Sequence, residues 1–442
     1  MICISDKSIC SGCSACASVC PRVCISMIED KQGFIYPNVD DAKCIDCGLC
    51  EKVCHMLHPN EERNPLMALA AYNNDQAIRI KSSSGGVFSL LAEQTIMQGG
   101  VVFGARFDEK WQVKLDYTEN KEGIALFRRS KYVQATVGSA FIECEKFLKD
   151  GRRVLFSGTP CQVAGLLHFL RKQYDNLTTI DVACHGVPSP NVWSMYLDLI
   201  RDKLNIKEPK LFLSEFKGLK FTIFYKEKEN ILELRSKRHE NDYMRSFIYS
   251  LILRPSCYNC KTKNFRSNSD LTIADFWGIE NIKPDYDNDK GTNLVLVNSQ
   301  KGCDMLDMIS ATIAKVNMKL SITANPALTT SVPKPIFKTS GMESTSKDNL
   351  ISLLRHGLQE YDKTKRRSII RRFFKSIYNS VCFFYNQFLE KGTMVINRSI
   401  KIDRILKCSE IGDIISVDFR NKTNGWKKYG LSFKVQLKSK MQ

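Results

Sequence analysis

The sequence lacks the long apolar runs and the leader that mark membrane and exported proteins. No stretch approaches the roughly 20 apolar residues that a membrane-spanning helix needs. Residues 1–6 contain no charged region followed by an apolar one, so no signal peptide is expected. The 18 cysteines in 442 residues are too dilute for a small disulfide scaffold and are clustered like metal ligands. Together these features predict a reducing, cytoplasmic location.

Several common catalytic signatures are also missing. The sequence shows no Ser/His/Asp pattern, P-loop, H-E-x-x-H zinc motif or G-x-G-x-x-G fingerprint. Net positive charge is small outside the C-terminal part: residues 347–442 carry 21 Lys+Arg against 8 Asp+Glu, and residues 1–346 carry 44 against 39. A nucleic-acid enzyme would have its basic surface around its site, so no nucleic-acid partner is expected.

Near the N-terminus the cysteines form two runs of the pattern C-x2-C-x2-C-x3-C, displaced by 34 residues. Bacterial two-cluster ferredoxins have this spacing, and each 4Fe-4S cluster takes three cysteines of one run and the last of the other. The predicted first cysteine set is Cys10, Cys13, Cys16 and Cys54, and the second cysteine set is Cys44, Cys47, Cys50 and Cys20. Disulfides and paired zinc sites are the alternatives that this register disfavours. His55 stands where a second proline would be usual and removes no ligand.

The remaining sequence predicts an α/β body with a mostly parallel sheet behind an α+β ferredoxin-like module. The module covers residues 1–57, and a linker with two prolines follows at 56–65. Predicted strands at 68–72, 101–107, 154–156 and 177–182 alternate with predicted helices at 87–97, 138–148, 162–172 and 191–203. An inserted hairpin is expected at 220–225 and 231–234. We divide the body into 66–150 and 151–335, and treat 336–442 as a basic, partly helical tail.

Two of these strand–helix junctions carry a cysteine, and a later C-x2-C pair adds two more. Cys161 opens the helix after the strand at 154–156, and Cys184 follows the strand at 177–182. Both lie at the carboxyl ends of strands, where open α/β sheets bind ligands. A thiol at a helix N-terminus is expected to have a lowered pKa. With Cys257 and Cys260 they form the body cysteine set, which suits a third 4Fe-4S cluster, a zinc site, a redox disulfide or inert buried thiols.

A glycine-containing turn at the start of the helix at 87–97 is a candidate phosphate site. The segment Ser83-Ser84-Gly85-Gly86 would let backbone N–H groups approach an anion at the helix N-terminus. The alternative is an ordinary N-cap by Ser84. Further along, Phe276-Trp277 could wall a cofactor or belong to the core.

Taken together, residues 1–335 resemble the coenzyme F-420 hydrogenase/dehydrogenase β-subunit family, in the bacterial branch that carries a two-cluster ferredoxin domain. The resemblance rests on several short segments in order along the chain. They are Ser83-Ser84-Gly85-Gly86, Lys131-Tyr132-Val133-Gln134, Ser157-Gly158-Thr159-Pro160-Cys161-Gln162, Ala183-Cys184-His185-Gly186, Cys257-x2-Cys260 and Asp275-Phe276-Trp277-Gly278.

This resemblance implies FAD in the body with a third 4Fe-4S cluster beside it, and an enzyme that couples single electrons to a two-electron substrate. It implies that FAD contacts Ser83, Ser84, Gly85, Gly86, Lys131, Gln134, Gly158, Thr159, Gln162 and Asp275. His185 would donate a proton or hydrogen-bond the flavin. A redox partner such as ferredoxin is expected, and a link to surface-polysaccharide metabolism follows from the branch. The competing hypothesis is an electron-transfer subunit that relays electrons to a separate enzyme.

The tail lies outside the resemblance. Ile370, Phe373, Phe374 and Ile377 begin an apolar helical stripe that arginines flank. Such a stripe could lie in an anionic membrane interface at the inner face of the membrane, or pack on the body or a partner.

Overall fold

The computed structural model describes residues 1–204, 210–217, 220–227, 230–237, 241–335, 357–359, 362, 413–422 and 430–438. The chain divides into two compact units, Met1–Tyr361 and Asp362–Gln442. No helix in these described ranges is long and apolar enough to cross a bilayer. The predicted apolar stripe of the tail lies outside the described residues.

The N-terminal module combines a two-stranded hairpin with two short helices. Its elements are α1 (Ala15–Val19), β1 (Ile25–Glu29), β2 (Ile35–Val39) and α2 (Leu49–Lys52), with β1 and β2 antiparallel. The helices begin 34 residues apart, which is the displacement of the two cysteine runs. Each follows a residue in left-handed conformation, Ser14 (φ 63°) or Gly48 (φ 70°). The sequence repeat is therefore a structural repeat, and the predicted α+β module is confirmed.

Eleven further strands follow in the first unit. They are β3 (Met67–Asn73), β4 (Val101–Phe107), β5 (Val113–Thr118), β6 (Val154–Gly158), β7 (Leu177–Val182), β8 (Lys210–Lys217), β9 (Lys220–Glu227), β10 (Asn230–Lys237), β11 (Leu271–Asp275), β12 (Asn293–Val297) and β13 (Ala311–Lys315). The helices of the body are α3 (Gln76–Ile80), α4 (Val87–Met97), α5 (Lys121–Phe127), α6 (Ala140–Lys149), α7 (Pro160–Leu170), α8 (Pro190–Leu204), α9 (Asp242–Ile248), α10 (Ile279–Ile282), α11 (Gln300–Asp307) and α12 (Met318–Ala324).

Eight of these strands form one sheet with the order β13-β3-β12-β11-β7-β6-β4-β5. Strands β3, β4, β6, β7 and β11 run in one direction, and β5, β12 and β13 run in the other. The prediction of a mostly parallel sheet is confirmed. The carboxyl ends of the five parallel strands lie along one edge, which is where the motif residues after β6, β7 and β11 occur.

Helices cover both faces of this sheet. On one face Phe141 of α6 and Val163 of α7 pack with Phe103 of β4, and on the other face Leu91 of α4 packs with Leu155 of β6. Ala15 and Val53 of the N-terminal module join the first of these two clusters. The module and the body therefore share one hydrophobic core, which fixes their relative position.

The predicted hairpin after α8 is confirmed as β9 and β10, and it belongs to a three-stranded antiparallel sheet with β8, which the sequence analysis missed. The second unit contains β14 (Asp413–Lys422) and β15 (Gly430–Lys438), which pair with each other antiparallel.

Candidate functional site: three cysteine sets

The first cysteine set lines one pocket of the N-terminal module. Its members, Cys10, Cys13, Cys16 and Cys54, share the pocket with apolar side chains such as Ile2 and Met27. Burial raises the pKa of Cys16 to about 12, and the neighbouring thiols of Cys10 and Cys54 contribute to that rise. The four cysteines therefore lie around one pocket with apolar walls. Each of them must be deprotonated to bind a cluster, so cluster binding releases protons.

The second cysteine set lines a second pocket, whose lining also contains Cys24. The Sγ atoms of Cys20 and Cys24 are 3.3 Å apart. Cys47 is exposed, whereas Cys13, at the equivalent position of the repeat, is half-buried. The second set is therefore the more open of the two.

The structure also brings together the four cysteines of the body set. Burial raises the pKa of Cys161 to about 11 and that of Cys184 to about 12, and in both cases the nearby Cys260 thiol contributes. Burial is likewise the largest cause of the raised pKa of Cys257, and the thiols of Cys184, Cys161 and Cys260 raise it further. The lowered pKa expected for Cys161 at a helix N-terminus is wrong, because loss of hydration outweighs the helix dipole here.

Two buried cations stand beside this body set. Lys263 Nζ donates to the carbonyl oxygen of Cys184 at 2.6 Å and to that of Ala327 at 2.5 Å. The charge of Lys263 lowers the pKa of Cys184, and the charge of Arg254 lowers that of Cys161, in both cases against the larger effect of burial. Four thiols with adjacent positive charge suit an anionic thiolate-bound metal centre.

One helix connects the first set with the body set. Cys161 lies in the first turn of α7. This turn is capped by Thr159, whose backbone N–H donates to Gln162 Oε1 at 2.9 Å. Four residues further along α7, Gly165 faces Cys13: a Cβ atom at position 165 would lie 2.8 Å from Cys13 Cβ and 3.0 Å from its Sγ. Four residues of helix rise about 6 Å, so the two sets are neighbours across the module–body boundary.

Hydrogen bonds at the other side of the module reinforce this docking. Ser189 Oγ donates to the carbonyl of Gln32 at 2.5 Å, and Asn191 Nδ2 donates to the carbonyl of Lys31 at 3.1 Å. Gln134 Nε2 donates to the carbonyl of Ser11 at 3.2 Å. The loop between β1 and β2 and the loop that carries Cys10 are thus both held by the body.

The residues implied to bind FAD fall into two groups. The first group lies around the N-terminus of α4, where the backbone N–H of Ser130 donates to Ser83 Oγ at 3.1 Å and Ser84 Oγ donates to the carbonyl of Thr292 at 2.7 Å. Burial raises the pKa of Asp275, and a hydrogen bond with the Ser84 side chain lowers it by a smaller amount. Lys131 belongs here as well: its Nζ donates to the carbonyl of Arg128 at 2.7 Å. Ser83, Ser84, Lys131 and Asp275 are therefore brought into one neighbourhood.

The glycines of this turn are required for packing. A Cβ atom at Gly85 would lie 2.4 Å from the carbonyl oxygen of Ala71 and 2.7 Å from the backbone nitrogen of Asn293. Gly86 has φ 78° and is the N-cap of α4, so the alternative of a cap by Ser84 is wrong. A larger residue at 85 would disturb the sheet whether or not a phosphate binds, and phosphate binding at this turn stays a prediction.

The second group lies at the module boundary. Gln134 contacts Ser11, and Gln162 Nε2 donates to the carbonyl of Ala135 at 3.4 Å. Gly158 packs against Gln162, and Thr159 Oγ1 lies 3.2 Å from Cys161 Sγ. Gln134, Gly158, Thr159 and Gln162 therefore surround the body set and the first set rather than the α4 turn.

His185 and the aromatic pair after β11 have distinct surroundings. His185 Nε2 lies 3.1 Å from Ser250 Oγ, and burial followed by the charge of Lys263 lowers the pKa of the ring. The ring is therefore neutral at physiological pH and suited to hydrogen bonding. Phe276 is buried in the core, whereas Trp277 is 56% exposed at the sheet edge.

Arg254, Lys263 and Gly165 are site residues that the sequence analysis missed. Arg254 precedes Cys257 by three residues, so its proximity to the C-x2-C pair was the one local signal. Nothing in the sequence pairs Gly165 with Cys13, because a tertiary contact across 152 positions leaves no spacing pattern.

The described cysteines form no disulfide and no compact group of metal ligands. The described cysteines are all free, including Cys257 and Cys260. Among the described residues, no three His, Cys, Asp or Glu side chains are grouped to hold one metal ion.

Two family models match the chain. Residues 9–56 match the 4Fe-4S dicluster domain, and residues 151–319 match the C terminus of the coenzyme F420 hydrogenase/dehydrogenase beta subunit. No curated protein sequence matches. Among solved structures, a chain of the xenon-derivatised F420-reducing NiFe hydrogenase complex from Methanosarcina barkeri is similar over 70% of this chain and 94% of its own length. Its identity is 15% and its TM-score 0.40.

Proposed function

We propose that this protein is an iron–sulfur flavoprotein oxidoreductase, because residues 151–319 match the C terminus of the coenzyme F420 hydrogenase/dehydrogenase beta subunit and residues 9–56 match the 4Fe-4S dicluster domain. Single electrons enter at the second cysteine set, pass to the first set and then to a third 4Fe-4S cluster on the body set. FAD, when bound, couples these single electrons to a two-electron substrate.

The observation that carries this proposal is the contact of Gly165 with Cys13. Through this contact the first cysteine set lies against α7, the helix whose first turn contains Cys161. A residue other than glycine at position 165 would hold the module away from α7. The exposed Cys47 marks the opposite end of this route, where an external electron carrier can approach.

The body set fits a third cluster by its donors and by its charges. Four thiols that influence one another's pKa values converge from two strand ends and one loop, and Arg254 and Lys263 compensate thiolate charge. Binding of metal would also tie together segments far apart in sequence and so stabilise the body.

FAD is proposed to bind with its pyrophosphate at the N-terminus of α4. Several cations lie near this turn. Arg129 Nε donates to the carbonyl of Lys81 at 2.8 Å, and Arg128 Nη2 lies 3.6 Å from Glu93 Oε1. Burial and then the charge of Arg129 lower the pKa of Lys131 to about 7. An anion at this place would relieve the repulsion and accept backbone hydrogen bonds from the helix N-terminus.

The decisive experiment quantifies iron, zinc and flavin in the reconstituted full chain and in Cys161→Ala. We expect about twelve irons in the wild type, about eight in Cys161→Ala, and loss of flavin reduction by dithionite-reduced ferredoxin in that variant. Cys303→Ala, which alters a thiol on α11 outside the three sets, is the control and should retain about twelve. Eight irons in the wild type, or zinc on the body set, would show that the third cluster does not exist.

The relay hypothesis is tested in the same preparation. An enzyme should oxidise or reduce a small substrate by itself, whereas a relay subunit should stay inactive until a second protein is added. The substrate, the use of deazaflavin, the link to surface polysaccharide and contact of the tail with a membrane stay predictions from the resemblance and the sequence.

A further inference from the structure

Arg254 lies between the first cysteine set and the body set and is completely buried. Its Nε donates to the carbonyl of Cys10 at 2.8 Å, and its Nη2 donates to the carbonyl of Ile35 at 2.8 Å. Its Nη1 donates to Gln134 Oε1 at 3.0 Å. Its own carbonyl accepts from the backbone N–H of Cys257 at 2.9 Å. One residue therefore joins two segments of the module to the loop that carries the C-x2-C pair.

The charge of this guanidinium has no carboxylate to balance it. Among the described residues Arg254 forms no ion pair with Asp or Glu, and the oxygens that accept its hydrogen bonds are neutral. Rings of Tyr36 and Phe34 lie 4.3 Å and 5.4 Å from the guanidinium carbon and exclude water from it. A buried cation with neutral partners is costly unless an anion stands close by.

One anion in direct reach of it is the sulfur of Cys10. Arg254 Nη2 lies 3.6 Å from Cys10 Sγ, within the distance of a hydrogen bond to sulfur. In a bound cluster this sulfur is a thiolate and shares the negative charge of the centre. Hydrogen bonds and charges at the cluster sulfurs set reduction potentials.

We propose that Arg254 raises the reduction potential of the cluster held by the first cysteine set, and so makes it the acceptor for an electron from the second set. One external one-electron reductant loses one electron, and the centre gains one. Arg254 keeps its proton and stabilises the added negative charge at Cys10. Arg254 is a positioning residue for electron transfer, and the direction of transfer rests on the proposed function; the effect on potential does not.

The test is a potentiometric titration, followed by electron paramagnetic resonance, of the reconstituted full chain. Arg254→Gln removes the charge with little change in length, and Arg254→Lys retains the charge. In Arg254→Gln we expect the equilibrium constant for reduction of the first cluster to fall at least about tenfold, which is about 59 mV for one electron. In Arg254→Lys the constant should recover to within about threefold of the wild type.

Gln134→Glu provides a second route if Arg254→Gln does not assemble. It places a carboxylate of the same size next to Arg254 Nη1, so it should neutralise the cation and lower the potential in the same direction. The control is Arg152→Gln, which removes a cation at the amino end of β6, where Arg152 contacts Gly99 and Glu119.

An unchanged potential of the first cluster in whichever of Arg254→Gln and Gln134→Glu retains its iron overturns the proposal and leaves Arg254 a purely structural role. A purely structural role would also make Arg254→Lys as damaging as Arg254→Gln. Failure of the third cluster or of FAD binding appears separately, in the iron and flavin content of the wild type.

Discussion

Gly165 and Cys13 are in van der Waals contact across the boundary between the body and the N-terminal module. A Cβ atom at position 165 would lie 2.8 Å from Cys13 Cβ, closer than side chains normally approach. The contact places a predicted cluster ligand directly on α7, a helix within residues 151–319.

Gly165→Ala should therefore lower the thermal midpoint of the holoprotein. Alanine favours a helix by about 1 kcal/mol over glycine, but overpacking at Cys13 costs about 1–3 kcal/mol. Thermal loss of the cluster absorbance measures the balance. Gly357→Ala, whose added Cβ would meet Leu251 at an ordinary 3.5 Å, is the matched control and should not lower the midpoint. A higher midpoint for Gly165→Ala would contradict the docking geometry.

Cys13→Ala and Cys47→Ala should each remove about four irons per chain, because the two cysteines occupy equivalent places in different sets. The spectroscopic signals that remain should differ between the two variants, since each retains a different cluster. Iron analysis with electron paramagnetic resonance checks this. Unchanged iron in both variants would reject the assignment of the sets.

Arg129→Gln should weaken FAD binding about tenfold, which corresponds to loss of one charge-assisted hydrogen bond. Iron content should be unaffected, because Arg129 contacts Lys81 beside α4 and not a cysteine. Flavin released on denaturation measures the occupancy. Arg152→Gln, with the same loss of charge at the amino end of β6, should keep full occupancy; equal losses in both variants would reject the site.

Asp181 should make the protein less stable as the pH rises through about 6. Burial raises the pKa of this carboxyl from 3.8 to about 6, and the hydrogen bond from Ser267 Oγ opposes that rise. Among the described residues its Oδ1 has no hydrogen-bond partner. The folded state thus holds a proton that the unfolded state releases above pH 3.8. The stabilisation is full below that pH and is lost above about 6, an effect of about 3 kcal/mol.

Asp181→Asn removes this titration while keeping the shape of the side chain. Denaturant unfolding at about pH 4.5 and about pH 7.5 should show the variant gaining relative to the wild type at the higher pH. Comparison at each pH cancels the acid lability of the clusters. The same difference at both values would mean that Asp181 does not titrate in this range.

Elements with a strong local pattern were predictable from the sequence. The α4 helix and the strands β4 and β7 agree with the prediction residue for residue, because their apolar runs end at glycines or polar turns. The antiparallel strands β5, β12 and β13 were missed, since alternation of strands and helices carries no information on a strand that reverses direction. The spacing of the cysteines predicted the members of the first two sets as cluster ligands, and in the structure each set lines a pocket of its own.

The sequence identified the four cysteines of the body set as candidates, but it could not show that they lie together. Only the tertiary structure brings Cys161 close to Cys257. The pKa of Cys161 shows why: its helix position argued for a lowered value, and burial, which depends on the whole fold, reversed the direction. Gln134 lies apart from the α4 turn for a similar reason, since Lys131, three residues earlier in sequence, points to a different site.

The hydrogen bond from Arg254 to Cys10 spans 244 residues of chain. On a ribosome that adds about 5–20 residues per second, the module is complete roughly 10–40 s before Arg254 is synthesised. During that interval the side of the module that Arg254 covers, next to Cys10, is open. The order of synthesis thus leaves the first cysteine set open to cluster delivery from the side that the finished protein closes.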